Sequence, residues 1–130
     1  MPDEPGKFIH FPPSEVLSLP NPRKGWQGGP LAEIRLAFTP VGWLFALDAH
    51  TSTAGMGGPL GYFERPRFAP KGFISQVAAR DAAIAQLRHW AQGVLKHNGG
   101  RDTQATLVAR WCNQLAAPPV PRQLDLFDGL

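Results

Sequence analysis

Three side chains in the middle of the chain, Asp48, His50 and Glu64, are the best candidates for chemistry. Asp48 and His50 are two residues apart, so on a β-strand both would point to one face, and Glu64 could approach from a neighbouring strand. A carboxylate together with an imidazole suits a divalent cation. However, metal-dependent nucleases need several carboxylates around their ions, and polar residues are ordinary on the outer face of a strand. The sequence therefore favours a non-enzymatic protein without a cofactor, and a small metal-dependent, nuclease-like enzyme is the less favoured alternative.

Two further features carry weaker signals. The glycine-rich segment 51–61 contains a Gly-x-Gly-Gly-x-x-Gly pattern, but Tyr62-Phe63-Glu64 follows it rather than a helix. A phosphate-binding loop needs a helix N-terminus behind it, so this segment is predicted to be a flexible connector. Cys112 is the only cysteine, which suits a reducing compartment. It lies on the apolar stripe of a predicted helix, and we expect a buried structural thiol rather than a nucleophile.

The elements that would position these residues begin near Leu31. Alternating apolar residues over 34–38 predict a half-buried strand, and Trp43, Phe45 and Leu47 predict a second strand with these three side chains on one face. Thr39-Pro40-Val41-Gly42 has the residues of a turn, so the two strands form an antiparallel hairpin. A third strand is predicted over 62–68, at a sheet edge or shortened because of Pro66.

Two helices follow the strands. Apolar residues recur at three- and four-residue spacings over 75–97, with Ser75 as N-cap and Asn98-Gly99-Gly100 as the stop signal. Asp102 or Thr103 is predicted to cap a second helix that ends before Pro118. The expected fold class is therefore α+β, a small antiparallel sheet of two or three strands packed against two helices.

The two ends of the chain are rich in proline. Residues 1–30 are predicted to form an irregular Pro/Gly-rich arm, although the apolar groups at 8–11 and 16–19 could pack across the domain in extended form. Residues 31–116 are predicted to be the α+β domain, and 117–130 a Pro-rich linker that carries a C-terminal peptide. With 43% hydrophobic residues among 130, the chain is expected to build one modest core.

That C-terminal peptide places apolar side chains on a segment where order is usually low. Residues Gln123, Leu124, Asp125, Leu126 and Phe127 resemble the bacterial sliding-clamp-binding motif, Gln-Leu-(Ser or Asp)-Leu-Phe, at all five positions. A random chain of this length would contain this pattern roughly once in several thousand cases. The alternative is that Leu124, Leu126 and Phe127 fold back onto the domain as a strand or plug, and weak docking followed by release to a partner would satisfy both interpretations.

The resemblance implies a partner and a role for each residue. Its partner would be the bacterial DNA polymerase sliding clamp, and Leu126 and Phe127 would be the apolar anchors in the clamp's pocket. Gln123 would hydrogen-bond in a neighbouring subsite, Leu124 would pack, and Asp125 would lie nearer solvent. The expected function is that of an accessory protein of bacterial or phage DNA replication or repair.

A block of basic residues suggests DNA as a second partner, and a DNA-binding module in which the C-terminal motif is incidental is the alternative function. Between Arg65 and Arg101 there are seven basic residues against one acid, Asp81, so the balance is 7 − 1 = +6 in a chain whose net charge is +3. Such a surface could follow phosphates without reading bases, and an ordinary solvated helix face is the equally weighted alternative. The basic residues are Arg65, Arg67, Lys71, Arg80, Arg88, Lys96 and Arg101.

Location in the cell is predicted from what the sequence does not contain. No apolar run approaches the length of about 18 residues that crosses a bilayer. The first five residues, Met1 to Pro5, are acidic and lack a hydrophobic signal core. We therefore expect a cytoplasmic protein that does not contact a membrane.

Overall fold

The alternating residues that follow Leu31 form the predicted hairpin, and the other elements pack around it. The computed structural model describes residues 6–64 and 70–117, which adopt an α+β fold of two antiparallel sheets and two helices. In chain order the elements are β1 (Phe8–His10), β2 (Glu15–Leu19), β3 (Ala32–Thr39), β4 (Gly42–His50), β5 (Gly55–Met56), β6 (Gly61–Phe63), α1 (Gln76–His97) and α2 (Thr103–Ala116).

The register of β3 against β4 places the apolar side chains on one face, as predicted. Ile34 lies opposite Leu47 and Leu36 opposite Phe45. At the turn, Gly42 has a φ of +115°, and a Cβ there would lie 3.0 Å from the backbone carbon of Gly72. Glycine is therefore required at this position both for its conformation and for the close approach of the segment that leads into α1.

The interpretation of residues 1–30 as an irregular arm is wrong for two segments. β2 pairs with β3 along five residues, and β1 pairs with β6. Within the described residues the larger sheet has the order β2-β3-β4-β5, and β1 and β6 form a separate two-stranded sheet. Prolines flank both N-terminal strands without entering them, so the backbone groups of β1 and β2 remain free to pair.

The glycine-rich segment is also more ordered than a flexible connector. β5 pairs with the end of β4, and the Arg35 guanidinium donates to the Gly58 carbonyl at 2.6 Å. A Cβ at Gly57 would lie 2.6 Å from a carboxylate oxygen of Asp48, so only glycine fits there without displacing that side chain. The segment thereby carries Leu60 back to the sheet and leads into β6. The predicted third strand is present at Gly61–Phe63, where it pairs with β1 and not with the hairpin, and the part predicted over 65–68 lies outside the described residues.

The two helices match their predicted bounds closely. Ser75 caps α1 by accepting from the Ala78 amide, and Asp102 caps α2 by accepting from the Ala105 amide. Asn98 is the C-cap of α1, and Gly99 and Gly100 have positive φ. The main core lies between the helices and the face of the sheet that carries Ile34, Leu36 and Leu47.

The opposite face of the large sheet has a smaller core of its own. Ala37 and Ala46 from the hairpin pack there with Leu60, and Phe11 and Leu44 cover them in part. The Phe11 amide donates to the Leu60 carbonyl at 2.9 Å, which holds the end of β1 over this face. Short strands from both sides of the hairpin thus cover a face that would otherwise be solvated.

Candidate functional site

The residues of the predicted clamp-binding motif lie outside the part of the chain that the structure describes. These are Gln123, Leu124, Asp125, Leu126 and Phe127. The described chain ends at Ala117, the C-cap of α2, with a φ of −63° and a ψ of 133°. This extended conformation follows from Pro118, because the residue before a proline is excluded from helical geometry. The chain therefore leaves α2 in an extended direction.

The point of departure lies beside the first half of α1. A groove of about 180 Å³ is lined by Asp81, Ile84, Ala85, Arg88 and Ala116. Arg88 donates to the Asn113 side chain at 3.4 Å, so α2 runs back along α1. Because α1 has 22 residues and α2 has 14, α2 ends before it reaches the first turn of α1.

Large apolar side chains are exposed at this end of the domain. Ile74 is 97% exposed, Val77 66% and Phe38 65%. Phe73 exchanges backbone hydrogen bonds with Trp43 at 2.9 and 2.8 Å, and Trp43 stacks at a tilt on Phe38 with ring centroids 5.5 Å apart. We call Phe38, Ile74 and Val77 the open end. It is an apolar surface held on well-paired backbone.

The opposite end of the two helices is closed by a polar network around Asp102. This carboxylate is 2% exposed, accepts from the Thr53 hydroxyl at 2.5 Å and caps α2 at the Ala105 amide at 3.0 Å. Asn98 donates to the same Thr53 hydroxyl at 3.3 Å. We call Thr53, Asn98 and Asp102 the closed end. It joins the loop after β4 to both helices.

The protonation of Asp102 reflects two opposed effects. Burial alone would raise its pKa, but hydrogen bonds from Thr51, Thr53 and the Ala105 amide outweigh burial and lower the pKa to about 2. The Thr51 hydroxyl donates to the Ala54 carbonyl. We therefore assign most of the lowering of the Asp102 pKa to Thr53 and Ala105, whose donors lie close to the carboxylate. The charge on Asp102 therefore stabilises the fold at neutral pH.

The structure does not bring Asp48, His50 and Glu64 together. Asp48 accepts from Arg35 at 2.6 Å, and the ring of His50 lies against Gly55. Glu64 follows β6, where its amide donates to the Lys7 carbonyl. Within residues 6–64 and 70–117, no three histidine, cysteine or acidic residues form a group that could hold a metal ion.

Among the described residues of the basic block, those on α1 point in different directions around the helix. Arg80, Arg88 and Lys96 are eight residues apart on α1, and each such step turns about 80° around a helix. Arg80 and Arg88 are half-buried, whereas Lys71, Lys96 and Arg101 are exposed. The two remaining predicted contacts, Arg65 and Arg67, lie outside the described residues.

Cys112 is fully buried in the main core, and burial raises the pKa of its thiol to about 11. A neutral, inaccessible thiol is a poor nucleophile and a poor metal ligand. The positive charge of Arg88 acts in the opposite direction but is the weaker effect.

A second groove, of about 390 Å³, lies between the loop after β4 and the end of α1. Gly93 lies between His89 and His97 along the helix there, and Trp90 and Val94 supply apolar surface. This groove borders the closed end and is open to solvent.

Comparison with known proteins gives no match: no protein-family model, curated protein or solved structure is similar to this chain. In the part of the chain that the structure describes, neither helix has the length and apolar character needed to cross a membrane.

Proposed function

We propose that this protein is a non-enzymatic accessory factor of bacterial or phage DNA replication or repair that binds the DNA polymerase sliding clamp through Gln123–Phe127. The observation that carries the proposal is the match of Gln-Leu-Asp-Leu-Phe to the motif at all five positions. Five residues, three of them proline, separate Ala117 from the first residue of the peptide, Gln123. This spacing gives the peptide a short linker whose prolines restrict its conformations.

The energetics of a short peptide agree with this role. Most of the affinity of such a contact comes from a few buried apolar side chains, here Leu126 and Phe127. Ordering a free chain on binding costs free energy, and the prolines reduce that cost because they restrict the unbound peptide. We expect a dissociation constant in the micromolar range, which corresponds to a binding free energy of about −8 kcal/mol.

The basic residues do not enter this proposal. Their positions around α1 do not favour a common DNA-binding face, and their charges are divided between exposed and half-buried sites. Catalysis at Asp48, His50 and Glu64 does not enter the proposal either, because Asp48 is paired with Arg35 and the three side chains form no common group within the described residues.

Calorimetry of the whole protein with a bacterial sliding clamp tests the proposal. The comparison is between the natural sequence, a Leu126→Ala/Phe127→Ala variant, and a Val120→Ala variant as a matched control outside the motif. Micromolar binding that the double variant loses and the control keeps supports the proposal. No binding by the natural sequence, or equal binding by the double variant, overturns it.

A further inference from the structure

The face of α1 that seats α2 continues beyond the end of α2. Ile84, Leu87 and Ala91 are buried in the core that includes Val108 and Cys112 of α2. Val77 and Arg80 lie seven and four residues before Ile84, positions that fall on the same stripe of a helix. Because α2 ends with Ala116 next to Asp81 and Ile84, none of the described residues of α2 lies over Val77.

This uncovered stripe begins next to the rest of the open end: Ile74 is three residues before Val77, and the neighbouring Phe73 pairs with Trp43, whose ring contacts Phe38. The other large apolar side chains exposed among the described residues are 46 to 52% exposed and belong to three different segments: Val16 on β2, Trp26 in the loop before β3, and Phe63 on β6. At the open end, by contrast, three side chains are 65 to 97% exposed at one edge of the core. A cluster of this kind marks a place where an apolar segment binds.

We propose that residues 118–130 fold back over the open end, so that Leu124, Leu126 and Phe127 cover Phe38, Ile74 and Val77 when no clamp is bound. The position of Ala116 supports this occupant, because it lines a groove with Asp81 and Arg88, which lie about 6 and 17 Å along α1 from Val77. The seven residues from Ala117 to Leu124 span about 23 Å when extended. The segment is therefore long enough to reach Val77 from the end of α2.

A polar group at the same place supports the same occupant. Arg80 lies on the uncovered stripe, and its Nε is buried without a hydrogen-bond partner among the described residues. Asp125 lies between Leu124 and Leu126, so a tail that covers Val77 brings a carboxylate to this part of α1. A charged hydrogen bond to the buried Nε of this half-buried side chain would satisfy a donor that is otherwise costly to bury.

The consequence for regulation rests on the proposed function, whereas the docking itself does not. The same side chains, Leu126 and Phe127, serve both contacts, so the tail binds either the open end or the clamp. Only molecules with an undocked tail bind the clamp, so the apparent affinity equals the intrinsic affinity multiplied by the undocked fraction.

Paramagnetic relaxation in the whole protein tests the docking without any clamp. A nitroxide is attached at Gly129→Cys; the natural Cys112 is fully buried with a raised pKa and does not take up the label. Amide signals of Ile74 and Val77 are expected to lose most of their intensity, while those of Thr53 and Asn98 at the closed end keep theirs. Adding Leu126→Ala/Phe127→Ala to the labelled protein should restore Ile74 and Val77.

Two results would overturn the docking. One is full intensity at Ile74 and Val77, or a loss that the double substitution does not reverse. The other is the same loss of intensity in a mixture of two proteins, one that carries the nitroxide without isotope enrichment and one that is isotope-enriched without the nitroxide. In that mixture the loss can arise only between molecules. Clamp calorimetry is independent of these signals, so failure of the docking and failure of clamp binding are recognised separately.

Discussion

The two ends of α1 differ in their side chains: one end buries a charged group, and the other exposes apolar groups. At the closed end a carboxylate, Asp102, is buried and fully engaged with Thr53 and the start of α2. At the open end apolar side chains, Ile74 and Val77, are exposed although the backbone beside them is well paired. A buried, satisfied charge fixes structure, whereas exposed apolar surface on a rigid support is available to bind another segment. The comparison therefore assigns stability to the closed end and recognition to the open end.

The largest expected effect is a difference in the free energy of unfolding between variants at a buried and at an exposed apolar residue of α1. Leu87→Ala should lower the free energy of unfolding by about 3 kcal/mol, because the side chain is completely buried between the sheet and α2. Val77→Ala should change it by less than about 0.5 kcal/mol, because that side chain is largely in solvent. Urea unfolding of both variants gives the two values. Equal losses would mean that the open end is part of the core.

A smaller effect, with a defined dependence on pH, is expected at the closed end. Asp102→Ala should cost about 2 kcal/mol at pH 7, since it removes the cap of α2 and leaves Thr53 unpaired. The folded pKa of about 2 lies below the value of 3.8 for a free aspartate. The stabilisation from the charge is therefore complete above about pH 4 and is lost as the pH falls towards 2.

Urea unfolding at pH 7 and pH 3 measures this dependence. The difference between the natural protein and Asp102→Ala should narrow at the lower pH, and Asp102→Asn, which keeps a capping oxygen without a charge, should lie between them at pH 7. A difference that is the same at both pH values would show that the charge of Asp102 does not contribute.

The smallest expected effect concerns the open end and the clamp. Ile74→Ser/Val77→Ser should raise clamp affinity about threefold, some 0.6 kcal/mol, because the weaker apolar surface releases the tail. Val16→Ser, at an exposed apolar residue on β2, is the matched control and should leave the affinity unchanged. Calorimetry measures the clamp affinities of the double variant and of the control. Weaker binding in the double variant would show instead that the open end itself contacts the clamp.

The hairpin, both helices and their caps could be predicted because each has a local cause. Alternation over 34–47, Ser75 and Asp102 as caps, and the glycines after Asn98 act within a few residues of the elements they define. The N-terminal strands could not be predicted in this way. β2 is a strand because β3 offers it a partner edge, and β1 because β6 does, and these pairings join residues far apart in the sequence.

The candidate site was visible in part. The spread of Arg80, Arg88 and Lys96 around α1 follows from their eight-residue spacing alone, so it could have been deduced from the sequence. The open end had a signal as well. Val77 belongs to the predicted stripe, and the predicted second helix is too short to cover it. The exposure of Phe38 had no signal in the sequence, because it depends on where α1 begins relative to the hairpin turn.

Titration of the isotope-enriched protein with unlabelled sliding clamp, followed by amide NMR signals, tests the central claim most directly. The account predicts early loss of the signals of Gln123 to Phe127, because this peptide becomes part of a large complex. Signals of Ile74 and Val77 should move at the same time towards their positions in the Leu126→Ala/Phe127→Ala variant, while those of Thr53 and Asn98 stay unchanged. Loss of signals from the sheet or the closed end with an unaffected tail would contradict the account, as would a titration that changes nothing.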